Sequence, residues 1–178
     1  MSSNSFKSID RFFKAKSVVF IGGKDLFVPI RELKRRGFRG KIFIVNPKRL
    51  KIGSYKCLRK VSDLPLSPDA AFIAIPASEV ISTVRELKAV KCKGIVCYSA
   101  GFKETGKTGK DLEDTLIKEC GDVPLIGPNC YGFINFSDNV ALWPFSHKGA
   151  RCKKGIALIT QSGMLSSDII MATRSLPI

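Results

Sequence analysis

Apolar positions along the chain fall into five short runs. They are SVVFIG (17–22), KIFIVN (41–46), DAAFIAI (69–75), KGIVCYS (93–99) and VPLIG (123–127). Each is rich in β-branched residues and nearly continuous, without polar alternation. That pattern predicts strands buried on both faces of a parallel sheet. Between the runs the apolar spacing changes to that of helices. LFVPIRELKRRG predicts a helix ending at Gly37. PASEVISTVRELKAV puts Val80, Ile81, Val84 and Leu87 on one side, and TGKDLEDTLIKECG does the same with Leu112, Leu116 and Ile117 before Gly121. Strand and helix alternating at this pace predict an α/β fold of right-handed βαβ units, a doubly wound Rossmann-like parallel sheet.

The segment 131–155 breaks the rhythm and predicts two short extended pieces and then a linker. GIALIT (155–160) reads as another buried strand, followed by QSG and the apolar-spaced MLSSDIIMATRSL. The expected organisation is a Rossmann-like domain over 1–143, a linker over 144–154, and at 155–178 the first strand–helix unit of a second, flavodoxin-like α/β domain.

The length of 178 residues supports a core without disulfides. Cys57, Cys92, Cys97, Cys120, Cys130 and Cys152 include no Cys-x-x-Cys pair, and His147 is the single histidine. The composition therefore argues against a zinc site. The cysteines other than Cys130 read as small core residues, and His147 reads as a surface residue of the linker. No run is apolar and long enough to span a bilayer, and MSSNSFKSIDRFF has no apolar signal core. A cytoplasmic protein with no membrane partner is expected.

Charge narrows the ligand class. Thirty Lys and Arg against 15 Asp and Glu give a formal net charge of +15, which favours anionic partners. The cations are dispersed in KRRGFRGK, PKRLK, LRK and RCKK, where a solvated surface is also expected. No helix-turn-helix and no aromatic strip among the basic residues are visible, which argues against nucleic acid.

In an open α/β sheet, ligands sit beyond the carboxyl ends of the strands. Gly22 and Gly23 end the first run there, ahead of a helix whose N-terminal N–H groups favour anions. Alone, a tight turn explains them equally well. The dinucleotide spacing G-x-G-x-x-G is absent. An NAD site wants an acid at the end of the second strand. This chain has Asn46-Pro47-Lys48-Arg49 instead, a cationic end that suits a phosphate. NADP or a coenzyme with a ribose phosphate fits this end. Ile75, Pro76 and Ala77, and then Ser99, Ala100 and Gly101, close two further strands with small residues. Gly127-Pro128 stops the fifth, and Asn129 and Cys130 point toward the same crevice.

Taken in order, VNPK, SAGF.E and GPNC.G.IN, with GIALITQSGMLS after them, resemble the CoA-binding domain of the ADP-forming acyl-CoA synthetases. The α subunit of succinyl-CoA synthetase is a more distant likeness. The resemblance runs through nearly the whole chain. It implies CoA or acyl-CoA as the ligand. Gly22, Gly23 and Lys24 would lie near the CoA phosphates, and Asn46, Pro47 and Lys48 at the strand end that meets one of them. Ile75, Pro76, Ala77, Ser99, Ala100 and Gly101 would line the cofactor, with Asn129 and Cys130 near its reactive end. Gln161, Ser162 and Gly163 match the helix start that receives a phosphate from a phosphohistidine. The family reaction converts acyl-CoA, ADP and phosphate to a carboxylic acid, CoA and ATP. No catalytic residue of that reaction matches within these 178 residues. The resemblance therefore implies a partner carrying the phosphohistidine and ATP-grasp parts, and a stretch that does not catalyse the reaction alone. The alternative is a non-catalytic NADP- or nucleotide-binding regulatory module on the same fold. This chain departs from the family pattern in its short loop after Gly23, which brings Phe27 and Val28 toward the phosphate space.

Overall fold

The computed structural model describes residues 3–148 and 155–171. Nine strands and five α-helices follow in chain order among them: α1 (Ser3–Phe13), β1 (Ser17–Gly22), α2 (Phe27–Arg35), β2 (Lys41–Val45), β3 (Lys51–Ile52), β4 (Tyr55–Leu58), β5 (Ala70–Ala74), α3 (Ala77–Ala89), β6 (Ile95–Cys97), α4 (Lys107–Cys120), β7 (Leu125–Ile126), β8 (Phe133–Asn135), β9 (Val140–Leu142) and α5 (Gly163–Met171). The expected strands and helices all form except the one over 155–160.

Seven strands make one sheet in the order β3-β4-β2-β1-β5-β6-β7. All neighbours are parallel except β3, which turns back on β4 through Gly53-Ser54. The strand order steps outward from β1 through β2 to β4, then returns to the other side of β1 at β5. This is the doubly wound Rossmann-like arrangement, and its switch point lies between β1 and β5.

Both faces are dry, as the unbroken apolar runs require. Val18 and Phe20 of β1 face a cluster with Phe12 of α1, Ile30 and Leu33 of α2, and Val140–Leu142 of β9. Val19 and Ile21 face the opposite cluster, with Val80, Val84 and Leu87 of α3 and Leu116 of α4. Ile117, expected with Leu116, is exposed, one step round the helix from the buried stripe. Cys57, Cys92, Cys97 and Cys120 are buried, and Cys130 is partly exposed. Burial pushes the Cys92 and Cys97 thiols up to about 12, so they pack as apolar groups. Cys152 lies outside the described residues.

Asp69, just before β5, is buried at the amino edge of the sheet. Its carboxylate accepts from Arg11 Nη2 (2.6 Å), the backbone N–H of Lys16 (2.9 Å) and Ser17 (3.1 Å), and Ser17 Oγ (3.0 Å). One side chain thus ties α1, β1 and β5 together.

Two expectations are corrected. Residues 155–160 form no ladder, and Ile156, Leu158 and Ile159 are exposed. A strand needs a neighbour to satisfy its backbone, and none of the described strands lies beside this run. His147 is not a surface residue: it is 2% exposed. Arg36 Nη2 lies 3.3 Å from its Nδ1, and Arg35 and Arg36 both donate to its carbonyl. The basic end of α2 closes over the segment that follows β9. Apolar spacing carries no sign of such a polar closure.

Burial, then the Arg36 charge, opposed by Glu32 and aided by a smaller effect of Arg35, lowers the His147 pKa from 6.5 to about 4. Between those values the unfolded chain binds a proton that the folded chain refuses. Stability from this group is full above pH 6.5 and falls as the pH drops toward 4. At about 1.4 kcal/mol per pH unit, the loss should reach a few kcal/mol. Urea unfolding at pH 7 and pH 4.5 checks this. His147→Gln should lose clearly less between the two pH values, and equal losses would show that other groups drive the acid sensitivity.

Candidate functional site

The carboxyl ends of β1, β2, β5, β6 and β7 meet at one edge of the sheet. Gly22 ends β1 in register with Ala74 of β5. A Cβ on Gly22 would stand 2.5 Å from the Ala74 carbonyl oxygen, so this position requires glycine because a neighbouring strand approaches closely. Gly23 is different: nothing lies within 4 Å of where its Cβ would be. It leaves open space above the turn of Lys24–Leu26 that leads into α2.

Asn46 joins the two strand ends. Its Nδ2 donates to the Gly22 carbonyl at 2.6 Å, and its Oδ1 accepts the backbone N–H groups of Lys48 (2.9 Å) and Arg49 (2.7 Å). The side chain thereby shapes the cationic turn and has little capacity left for a ligand. Pro47 is held from the other side, its carbonyl accepting from Arg59 Nη1 at 2.5 Å. Lys24, Lys48, Arg49 and Arg59 are exposed, and none makes an ion pair among the described residues. Four cations without counter-charges thus lie around the ends of β1, β2 and β4. Arg59 is a residue that sequence reasoning passed over. Its only signal was the run LRK, which reads equally as solvated surface.

Phe27 opens α2 and is 50% exposed. Its ring lies beside the β3–β4 turn, 3.2 Å from where a Cβ on Gly53 would be. Val28 is partly buried.

The ends of β5, β6 and β7 are stitched together through backbone. Ile75 N–H donates to Ser99 Oγ at 3.1 Å, and Ser99 is buried. Pro76 precedes α3 and Ala77 is its first residue. Ala100 is exposed, and Gly101 N–H donates to Glu104 Oε1 at 2.6 Å. That backbone N–H lowers the Glu104 carboxyl pKa below its ordinary value against the opposing effect of burial. Glu104 is the acid of the SAGF.E pattern, and its structural work is to hold this turn. The peptide Gly127–Pro128 is cis. After it, Asn129 N–H donates to the Ser99 carbonyl at 2.9 Å, and Cys130 N–H to the Cys97 carbonyl at 3.4 Å. Asn129, in the left-handed region at φ 51°, is exposed at the edge.

Tyr98 and Tyr131 flank these turns, with ring centroids 6.2 Å apart, and Phe145 packs edge-on to Tyr131 at 4.9 Å. Gly163, at the start of α5, sits against Tyr131, because a Cβ there would meet the ring at 2.6 Å. The QSG helix start therefore packs on the ring of the residue that follows Cys130. Ser162 caps this helix, its Oγ accepting the Leu165 N–H at 3.3 Å. Gln161 is exposed beside it. The expected site residues thus gather at one edge, the basic group near β2 and the Cys130 and Ser162 group near β7. Among the described residues no cluster of His, Cys, Asp and Glu could hold a metal ion, and no helix is long and apolar enough to cross a membrane.

Comparison with known proteins agrees with this layout. Residues 26–135 match the family described as CoA binding domain. A trans-feruloyl-CoA synthase from an unknown prokaryotic organism is 36% identical over 178 aligned residues, covering 94% of this chain and 25% of that protein. The alpha subunit of an ADP-forming acetate–CoA ligase II from Pyrococcus furiosus is 31% identical, covering 93% of this chain and 37% of that subunit. A solved structure of a dinucleotide-forming acetyl-coenzyme A synthetase 1 from Ca. Korarchaeum cryptofilum, in its apo form, superposes with a TM-score of 0.76. It is 26% identical and covers 91% of this chain and 36% of that one. The chain therefore spans between a quarter and two fifths of the length of these relatives.

Proposed function

The chain belongs to the CoA binding domain family, and from that premise we propose that it holds CoA or an acyl-CoA across the carboxyl edge of its sheet. The observation that carries this reading is the cationic turn after β2. Asn46 holds it in place, and exposed Lys48 and Arg49 stand where a nicotinamide dinucleotide site would have an acid. In this reading Lys48 pairs with a phosphate of the coenzyme, Gly23 leaves room for the diphosphate, and Lys24 adds charge. The pantetheine arm runs past Ile75–Ala77 and Ser99–Gly101 toward Asn129 and Cys130. The start of α5 at Gln161–Gly163 receives a phosphate near that end. In this reading residues 1–143 form the ligand-binding unit, 144–154 a linker, and 155–178 the start of a second unit.

The reaction we assign is ADP-forming acyl-CoA synthesis, with the phosphohistidine and ATP-grasp parts lying outside these 178 residues. Its test is to supply those parts as candidate partner chains and assay ATP formation from acyl-CoA, ADP and phosphate.

Calorimetric titration at moderate salt, which screens diffuse attraction, tests the ligand. CoA should bind saturably and outcompete NADP and ATP. Lys48→Ala should weaken CoA about tenfold, the loss of a charge-assisted contact of about 1.5–3 kcal/mol less residual attraction. Pantetheine, which has no phosphate, should be unaffected. Equal weakening of both ligands would remove Lys48 from the phosphate site. Tighter binding of NADP than CoA would favour the regulatory nucleotide-binding alternative.

A further inference from the structure

Among the described residues before 149, three large apolar side chains are at least half exposed: Phe27 at 50%, Leu50 at 73% and Ile117 at 55%. Ile117 stands alone on α4. Single exposed apolar residues need no explanation. Phe27 and Leu50 are a different case, because they lie on adjoining segments beside four cations without counter-charges. Leu50 follows Lys48 and Arg49 directly, and Phe27 follows Lys24 by three residues, its backbone N–H donating to the Lys24 carbonyl.

The short loop after Gly23 brings Phe27 toward the phosphate space, yet the ring does not fill it. Nothing lies within 4 Å of where a Cβ on Gly23 would be. The ring leans instead on the tip of the β3–β4 hairpin. Two of its atoms, Cδ2 and Cε2, lie within 4 Å of where a Cβ on Gly53 would be, each at 3.2 Å. An approach from above the ring would bring a third atom within that distance, so Gly53 meets one edge. Among the described residues no other aromatic ring pairs with Phe27. An apolar face held at its edge and uncovered by any ring is a stacking surface.

The hairpin joins this surface to the cations. It begins one residue after Leu50, whose carbonyl accepts the Cys57 N–H at 2.8 Å. From Leu50 to Gly53 three extended residues cover about 10 Å, a span that an adenosine phosphate bridges. At the near end, Asn46 fixes the backbone of Lys48 and Arg49, and Arg59 reaches the Pro47 carbonyl. A flat ring beside unpaired cations is the combination that holds a base and its phosphate together.

On the premise that this edge holds CoA, we propose that Phe27 is the platform on which the adenine of the coenzyme stacks. Leu50 covers the nucleoside from the hairpin side, and Lys48, Arg49 and Arg59 meet its ribose phosphate. The competing role for Phe27 is a plug that keeps the coenzyme out. The two roles differ in sign: removing a platform weakens binding, and removing a plug strengthens it.

Calorimetric titration of the whole chain separates them with three probes. They are CoA, adenosine bisphosphate (the base end without the thiol arm) and phosphopantetheine (the thiol arm without the base). Phe27→Ala should weaken CoA and adenosine bisphosphate about tenfold each, the usual loss for one stacked base, and leave phosphopantetheine unchanged. Phe27→Tyr keeps the flat face and should retain affinity, whereas Phe27→Leu keeps apolar bulk without the face and should lose most of it. Ile117→Ala, which removes an equally exposed side chain from α4, should change nothing. Should Phe27→Ala fail to fold, Leu50→Ala carries the test, because that side chain is largely outside the core. It should weaken the two adenosine ligands and spare phosphopantetheine. Tighter CoA binding by Phe27→Ala, equal weakening of all three probes, or full affinity in Phe27→Leu would each overturn the platform while leaving CoA as the ligand. A parent chain that binds none of the three would overturn the CoA reading and the platform with it.

Discussion

Gly22→Ala is expected to cost CoA binding at least tenfold and to destabilise the fold by about 1–3 kcal/mol, the usual range for forcing extra atoms into packed structure. The added methyl would stand 2.5 Å from the Ala74 carbonyl oxygen, so β1 and β5 must part at the switch point. Gly22 also presents the carbonyl that receives the Asn46 amide, and Asn46 in turn fixes the backbone of Lys48 and Arg49. A small displacement of one strand end therefore reaches the cations proposed to meet the coenzyme phosphate. The control is the adjacent glycine. Gly23→Ala meets nothing within 4 Å, and Gly23 has φ −97°, which alanine adopts freely. Its fold stability should stay within about 0.5 kcal/mol of the parent. Denaturant unfolding and CoA calorimetry on the two variants provide the comparison. If both lose affinity alike, ligand space above the loop matters and the pinch between strands does not.

Asp69→Ala is expected to be the most destabilising single change, by about 3–5 kcal/mol, the range for removing one member of a buried charged network. The Arg11 arm contributes little of this, because the Arg11 side chain is 59% exposed and water replaces its partner. The cost lies in the N–H groups of Lys16 and Ser17 and the Ser17 hydroxyl, left without an acceptor at the buried start of β1. Asp69→Asn keeps an acceptor oxygen and should recover part of the loss. Urea midpoints for the three proteins test the ordering. A midpoint for Asp69→Ala within experimental error of the parent would mean that the start of β1 finds other partners.

Buried parallel strands and their helices were legible because continuous β-branched runs and helical spacing are strong local signals. Two elements were not anticipated. The α1 helix carries Phe6, Ile9, Phe12 and Phe13 at helical spacing, a periodic signal that the reading of the sequence passed over. The β3–β4 hairpin is only two and four residues long and sits among lysines and arginines. For GIALIT the local signal pointed to a strand, but a strand is a property of a pair, and the described residues offer no partner. The strand ends and turns that carry the expected site residues were legible. Their local work was less so: Asn46 reads as a ligand contact in sequence, and in the structure its side chain holds the Gly22 carbonyl and the turn of Lys48 and Arg49. Arg59 arrives at the edge from the end of β4, so only tertiary structure brings it in. His147 was misread because a polar residue in a linker resembles solvent-exposed sequence until two arginines from α2 close over it.

The position of β1 in the middle of the sheet also orders the way the molecule assembles. Ser17 pairs with Lys41, 24 positions on, whereas Val18 pairs with Ala70, 52 positions on. The entropy of closing a loop grows with the logarithm of its length, and a doubling costs about 0.6 kcal/mol. The β1–α2–β2 unit is thus the cheaper closure and the natural nucleus, with β5 and the strands beyond it added later. The proposed crevice lies along the seam between those two halves, so on that reading a nascent chain acquires its binding edge only when the second half docks. A ligand present at that stage would hold the late half in place and slow its release, without hastening the first closure.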